Sequence, residues 1–362
     1  MTIKKLLVAA AIVAVSTSAA ANDSDKVNFE KTYSAFQQAL NEQAESSKLV
    51  ELAQQSYQTG EKYFGTGNIN TANLKMSYLN LVPIETLRSA EAQQLADSAL
   101  AAYRQHYQAD APELVGALQM VLSTRDSSSD MNKLKDIFYE LIDVADANMA
   151  SQPEVMLREK VDAGAQMLRL GSRASSELVE FAEAANKQFG GEHELTLLAS
   201  FHAGRYLEAK GEVEQAVANF QKLTAVEKVP RNLSYPKYIS HARLVNHLEK
   251  LGRSDEATEH CVAIANLGYG IGEEREPQPL YRVNPKYPSS LASLERGGKV
   301  TMKFDINAIG MVENIEIIES DYKALANVSI EAVKQWRYAP YVKDGKPAVA
   351  TGRMVQMVFE ME

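Results

Sequence analysis

From about residue 27 to residue 267, apolar side chains recur at steps of three and four, as at Leu195, Leu198, Phe201 and Gly204. That spacing puts one apolar stripe on each of a succession of amphipathic helices. Beyond residue 298 the period falls to two. Val300, Met302, Phe304 and Ile306 alternate with Thr301, Lys303 and Asp305, the pattern of a half-buried strand. The stretch NAIG turns at Gly310, and VENIEIIE reads as a second strand with Ile315 and Ile317 inward. A helix is expected from about Tyr322 to Arg337, with Leu325, Val328, Ala332 and Trp336 on one stripe and Pro340 forbidding its continuation. Asp344-Gly345 turns the chain once more. The last strand buries Val355, Met357, Phe359 and Met361 and exposes Met354, Gln356, Val358 and Glu360. The C-terminal order is therefore β-β-α-β, and the chain is multidomain, α followed by α+β.

The stretch GYGIGEEREPQP, residues 268–279, separates the two patterns. Its glycines, charges and prolines predict a spacer, which spans at most about 40 Å when extended. Gly268, Gly270 and Gly272 are not a nucleotide loop, because no strand precedes them and no helix follows. The expected organisation is a leader (1–21), a helical region (22–267), the spacer (268–279) and a C-terminal domain (280–362). The leader has a basic start at Lys4 and Lys5, a ten-residue apolar run from Leu6 to Val15 and small residues at Ala19-Ala20-Ala21. These are the features of a secretory signal peptide cleaved after Ala21. An uncleaved anchor is the alternative, and the protein touches a membrane only in that case.

Charge and chemistry narrow the functional classes. Residues 22–276 hold 25 basic and 37 acidic residues, a balance of −12; from Pro277 onward the balance is +1. Neither part carries the basic stripe of a nucleic-acid binder. Cys261 is the single cysteine, so no internal disulfide forms, and it falls on an apolar stripe, where a buried inert thiol is expected. Six histidines, at 106, 193, 202, 241, 247 and 260, form no HExxH motif or ligand cluster, and His260 is expected on a different helix face from Cys261. No catalytic constellation, metal site or cofactor motif emerges, which argues for a binding protein and against an enzyme.

Internal repetition gives the helical region its character. In AGRYLEAKGEVEQAVANFQKL, Gly204 is followed by Gly211 at +7, Ala216 at +12 and Phe220 at +16. Small residues allow two antiparallel helices to approach, Gly211 turns between them, and Phe220 fills the gap to the next pair. A weaker copy has Gly252 at the turn, Ala257 at the small position and Cys261 where Phe220 stood. Gly164 and Gly171 repeat the +7 step, and Phe64-Gly65 precedes Thr71 as Phe189-Gly190 precedes Thr196. The pattern resembles the tetratricopeptide repeat, which implies an α-solenoid of about five helical pairs whose concave face binds extended partners. An irregular helical bundle is the alternative.

At the C-terminal end, NPKYP (Asn284–Pro288), GGKVTMKFDINAIGMVENIEIIES, AVKQWRYAP and DGKP occur in that order. The set resembles the TonB C-terminal domain over roughly Pro279–Glu362, under a quarter of the chain. The NAIG turn departs from the family, where an acidic residue is common before the glycine. The resemblance implies a core containing Tyr287, Pro288, Phe304, Trp336 and Pro340. It also implies partner binding by β-augmentation on the last strand: Gly352, Arg353, Met354, Val355, Gln356, Met357, Val358 and Phe359. The implied partners are an outer-membrane TonB-dependent receptor, inner-membrane transducer or motor proteins, or both. The implied place is the periplasm of a Gram-negative bacterium, or the periplasmic side of the inner membrane if the leader is an anchor. The chain lacks the long proline-rich spacer of the classical transducer, having 11 prolines in all and an acidic helical region instead. A second function therefore stays open: an envelope scaffold whose TonB-like domain binds protein or peptidoglycan with no link to uptake.

Overall fold

The computed structural model describes residues 23–267, 274–294 and 296–360. The expected leader, the first half of the expected spacer (268–273) and Met361 lie outside the described residues. The chain divides into two compact units, Met1–Gln188 and Phe189–Glu362.

The first unit is helical: α1 (Asp23–Asn41), α2 (Ser46–Phe64), α3 (Ile69–Leu79), α4 (Ile84–Leu87), α5 (Ala90–His106), α6 (Glu113–Thr124), α7 (Met131–Asn148), α8 (Pro153–Arg169) and most of α9 (Glu177–Phe189). Short polar side chains start several of them: Asn68 accepts from Asn70 N, Ser89 from Ala92 N and Asp130 from Asn132 N. These caps satisfy amides that the first turn leaves without an internal partner. The apolar stripes meet in a core that includes Leu118, Leu122, Phe138 and Leu141. Lys75 is buried in this core and its Nζ lies 2.7 Å from Glu61 Oε1 and 2.9 Å from Ser98 Oγ, so the charge is paired.

The second unit begins with α10 (Glu194–Lys210), α11 (Val213–Ala225), α12 (Ser234–Lys250) and α13 (Ser254–Asn266). Gly211 and Gly252 end α10 and α12 with φ of +80° and +73°, a conformation that glycine adopts without strain. A Cβ on Gly204 would stand 2.9 Å from Phe220 Cε1, so the absent side chain is what lets the Phe220 ring lie against α10. Ala216, Ala257 and Cys261 are fully buried.

A small α+β domain follows: β1 (Gln278–Tyr281), α14 (Ser289–Ala292), β2 (Gly298–Ile306), β3 (Val312–Ser320), α15 (Lys323–Val333), β4 (Arg337–Ala339), β5 (Tyr341–Lys343), β6 (Lys346–Ala348) and β7 (Ala350–Phe359). β2 is central in an antiparallel sheet of order β3-β2-β7. Val300, Met302, Phe304 and Ile306 are buried on its inner face with Leu325, Val333 and Trp336. Two further pairs complete the domain, β1 with β4 and β5 with β6. The β5–β6 turn is Asp344-Gly345, with φ of +51° and +71°, the two positive values of a tight hairpin that follows the sheet twist.

Two expectations are corrected here. The helix expected to Arg337 ends at Val333. Its last amides close three-residue turns, Gln335 N to Ala332 O and Trp336 N to Val333 O, and the chain then extends so that β4 pairs with β1. Backbone pairing and burial of Arg337-Tyr338-Ala339 outweigh the helical pattern that runs up to them. The described part of the expected spacer is not free. Arg275 exchanges both backbone hydrogen bonds with Val342, its Nη2 donates to Ala265 O at 2.6 Å, and β1 begins at Gln278. Helices α10–α13 and the α+β domain fall within one compact unit, Phe189–Glu362.

Two contacts join α12 and α13 to the sheet. Arg337 Nε lies 2.7 Å from Glu249 Oε1, with both side chains only 7% exposed. Gly310, at φ +82°, packs so closely that a Cβ would meet Tyr338 O at 2.1 Å and Cys261 Cβ at 3.5 Å. Burial pushes the Cys261 thiol up to about 12. His202, His241 and His260 are held neutral in the same way. Burial lowers His202 to about 4, and His241 and His260, whose Nδ1 atoms lie 2.9 Å apart, are lowered first by burial. Among the described residues no group of three or more His, Cys, Asp or Glu could hold a metal.

Glu249→Ala leaves the Arg337 charge buried without its partner, and urea denaturation is expected to show a loss of about 3–5 kcal/mol. Because His202 titrates below its usual 6.5, its contribution is complete above pH 6.5 and is lost as the pH falls toward 4. His202→Gln should flatten that part of a stability–pH curve. Cys261 should not react with a thiol reagent at pH 8 in the native protein and should react once urea unfolds it.

Candidate functional site

The sheet order leaves β7 at an edge. β7 is joined to β2 from Gly298 opposite Phe359 to Phe304 opposite Arg353 and, past a shift in register, at Ile306 opposite Ala350. Among the described residues no strand pairs with its other side. Every second amide and carbonyl of an edge strand points outward, which is a template for another extended chain. Side chains alternate across the strand. Met354, Gln356 and Val358 are exposed, Arg353, Val355 and Met357 are half-buried toward the core, and Phe359 is buried. Met354 and Val358 are apolar and 64% and 51% exposed, so this face offers apolar surface beside the free backbone.

The beginning of β7 is shaped by a bulge. Gly352 has φ of +71°, and its amide donates to Asp305 Oδ1 at 2.8 Å. Asp305 Oδ2 accepts from Asn314 at 2.8 Å, and these hydrogen bonds hold the Asp305 carboxyl below its usual range. One side chain thus ties the start of β7 to β3 across β2.

Trp336 sets the floor next to this bulge. It is 4% exposed, and its Nε1 donates to Val283 O at 2.9 Å. The indole meets the Phe304 ring edge-to-face, with centroids 6.2 Å apart. The Arg282 guanidinium lies over it at 4.7 Å and over Tyr338 at 5.4 Å, and donates to the Tyr338 hydroxyl at 3.0 Å. The indole thereby fixes the segment before α14 onto the sheet, with its ring buried and its N–H satisfied. Tyr287 meets Phe359 edge-to-face and donates to Arg296 O at 2.8 Å, Pro288 precedes α14, and Pro340 is buried between β4 and β5.

An open cavity of about 360 Å³ lies beside the first half of β7. Pro277, Pro279 and Arg282 line it from the β1 side and Arg353 from the β7 side, with the buried Phe304 and Tyr338 at its base. Glu276 forms an ion pair with Arg353, and Glu274 accepts from the Tyr341 hydroxyl. Sequence reading missed this cleft because the two prolines sit in the stretch read as spacer. The repeat residues Gly204, Gly211, Ala216, Phe220, Gly252 and Ala257 lie in α10–α13 and the turns between them, and contribute nothing to it.

Residues 283–361 match the model of the family described as Gram-negative bacterial TonB protein C-terminal. The protein named TonB of Salmonella typhimurium is 31% identical over 86 residues, covering 24% of this chain and 33% of that protein. TonB of Escherichia coli K12 is 31% identical over 86 residues, 24% of this chain and 34% of that protein. TonB of Klebsiella aerogenes is 33% identical over the same length, with 33% of that protein covered. The chain spans about a third of the length of the relatives it matches. No helix among the described residues is long and apolar enough to cross a membrane. A mostly helical region is followed in this chain by a TonB C-terminal domain, at residues 283–361.

Proposed function

We propose that this protein is a non-enzymatic partner-binding component of a TonB-dependent outer-membrane transport system, located in the periplasm. It takes an extended segment of its partner as a further strand on β7, from Gly352 to Phe359. The observation that carries this reading is the edge of β7 that no strand pairs among the described residues, with exposed apolar side chains beside it, in a domain that matches the TonB family. Backbone hydrogen bonds supply affinity in such pairing and alternate side chains supply selectivity. The helical pairs are read as tetratricopeptide-like, a reading supported by the Gly204–Phe220 contact and the glycine turns at 211 and 252. They would hold a second partner, an inner-membrane transducer or motor protein.

Neighbouring amides of a strand point to opposite sides, so of Met354→Pro and Val355→Pro one removes an outward N–H and the other a bond to β2. The outward variant is expected to keep its circular dichroism spectrum and lose binding to a receptor-derived periplasmic peptide by at least about tenfold. Hydrogen exchange should slow at outward amides of 352–359 when the peptide is added. A folded outward variant that binds as well as wild type would sink the edge reading.

A further inference from the structure

The open cavity of about 360 Å³ lies between two arginines, Arg282 on the β1 side and Arg353 on the β7 side. Among the described residues no carboxylate lines it. Neither guanidinium is fully engaged. Arg282 lies over the Trp336 ring at 4.7 Å and over Tyr338 at 5.4 Å, and it gives one hydrogen bond, of 3.0 Å, to the Tyr338 hydroxyl. Among the described residues no carboxylate pairs with it. Stacking on two rings holds the group in place without neutralising it. Arg353 meets one carboxylate, that of Glu276, through Nη2 alone, while its Nε is buried and has no hydrogen-bond partner. The pair is open to water, with Arg353 38% and Glu276 60% exposed, so it is weak and exchangeable. A buried donor without an acceptor is costly, and a carboxylate binds an arginine fork through two parallel bonds. The remaining wall is chiefly apolar. Pro277 and Pro279 have no N–H to offer, and Phe304 and Tyr338 close the base. Small-molecule sites combine such walls with a few fixed polar groups, in volumes from about 300 Å³ upward.

We infer that this cleft is a binding site for a small organic anion: one carboxylate on a compact apolar body. The carboxylate displaces Glu276 and takes Nε and Nη2 of Arg353 as a fork. Arg282 supplies the second positive charge, and the apolar body lies against Pro277 and Pro279. A bound ligand would bridge the segment before α14 and the start of β7, so occupancy stabilises the folded chain. The site does not depend on edge pairing. Arg353 points to the same face as Phe304, its neighbour on β2, whereas an added strand bonds to the outer backbone of β7.

Trp336, the only tryptophan of the chain, lies under Arg282 and reports on the cleft directly. The probes for the full-length protein are cyclohexanecarboxylate and cyclohexanecarboxamide, which share a shape and differ in charge. The acid is expected to shift Trp336 emission saturably, to raise the melting temperature and to bind at least about tenfold more tightly than the amide, with the advantage falling as salt rises. Arg353→Gln should erase that advantage, and Arg353→Lys, which keeps the charge but not the fork, should retain part of it. Glu276→Gln, which removes the internal competitor, should tighten the acid several-fold and leave the amide nearly unchanged. Arg282→Gln also alters the surroundings of Trp336, so it is read by calorimetry, and it should weaken the acid only. Circular dichroism confirms that each variant is folded. Equal affinity for acid and amide would overturn the site, as would binding of the acid that a folded Arg353→Gln variant leaves untouched. So would the absence of a saturable response to the acid, up to about 20 mM, in both the wild type and Glu276→Gln.

Discussion

The ion pair between Arg337 and Glu249 sits where water scarcely reaches, and much of the second unit is arranged to make that tolerable. Removing two charges from water costs several kcal/mol per ion, and their attraction offsets this only when both partners are well placed. The arginine is placed by β4, whose pairing with β1 fixes the backbone, and the glutamate by the last turn of α12. Glu249 also accepts from Ser254, which ties it to the start of α13. Each of these elements is thereby referred to the others. Such a pair adds little net stability, but it penalises every arrangement in which β4 is displaced from α12.

From that anchor the domain closes with few parts. A single helix covers one face of a three-stranded sheet, so a handful of large side chains must fill the space beneath it. Trp336 does so while binding the backbone at Val283, and Phe304 and Tyr338 extend the aromatic layer toward the bulge at Gly352. The layer ends in the cleft. The same economy that leaves β7 paired on one side only, among the described residues, thus leaves an aromatic floor and two guanidinium groups beside it.

Much of this was legible from residue order. The alternation at Val300–Ile306 assigned the inner face of β2, and the alternation from Val355 to Phe359 assigned the faces of β7, because a half-buried strand must repeat every two residues. The glycines at 211 and 252 marked real helix ends. What escaped was decided by tertiary contact. Arg337-Tyr338-Ala339 is too short to show a period, and its strand character comes from a partner about 60 residues upstream. Residues 274–279 have the composition of a spacer, yet their backbone is bonded to Val342 and their carboxylates to Tyr341 and Arg353. Cys261 was legible as a buried thiol, but not as the neighbour of the Gly310 turn.

The register of β7 against β2 has a mechanical side. The two strands run antiparallel and pair without interruption from Gly298 opposite Phe359 to Phe304 opposite Arg353, and again, past the bulge, at Ile306 opposite Ala350. Their hydrogen bonds lie across the strand direction, so tension applied along β7 loads the entire row in shear at once. Tension applied sideways at one end would open the same bonds in sequence, each in turn bearing the full load. A segment lying alongside β7 would pull in the first geometry. The edge is therefore strong along the direction in which an added strand would run and weak across it.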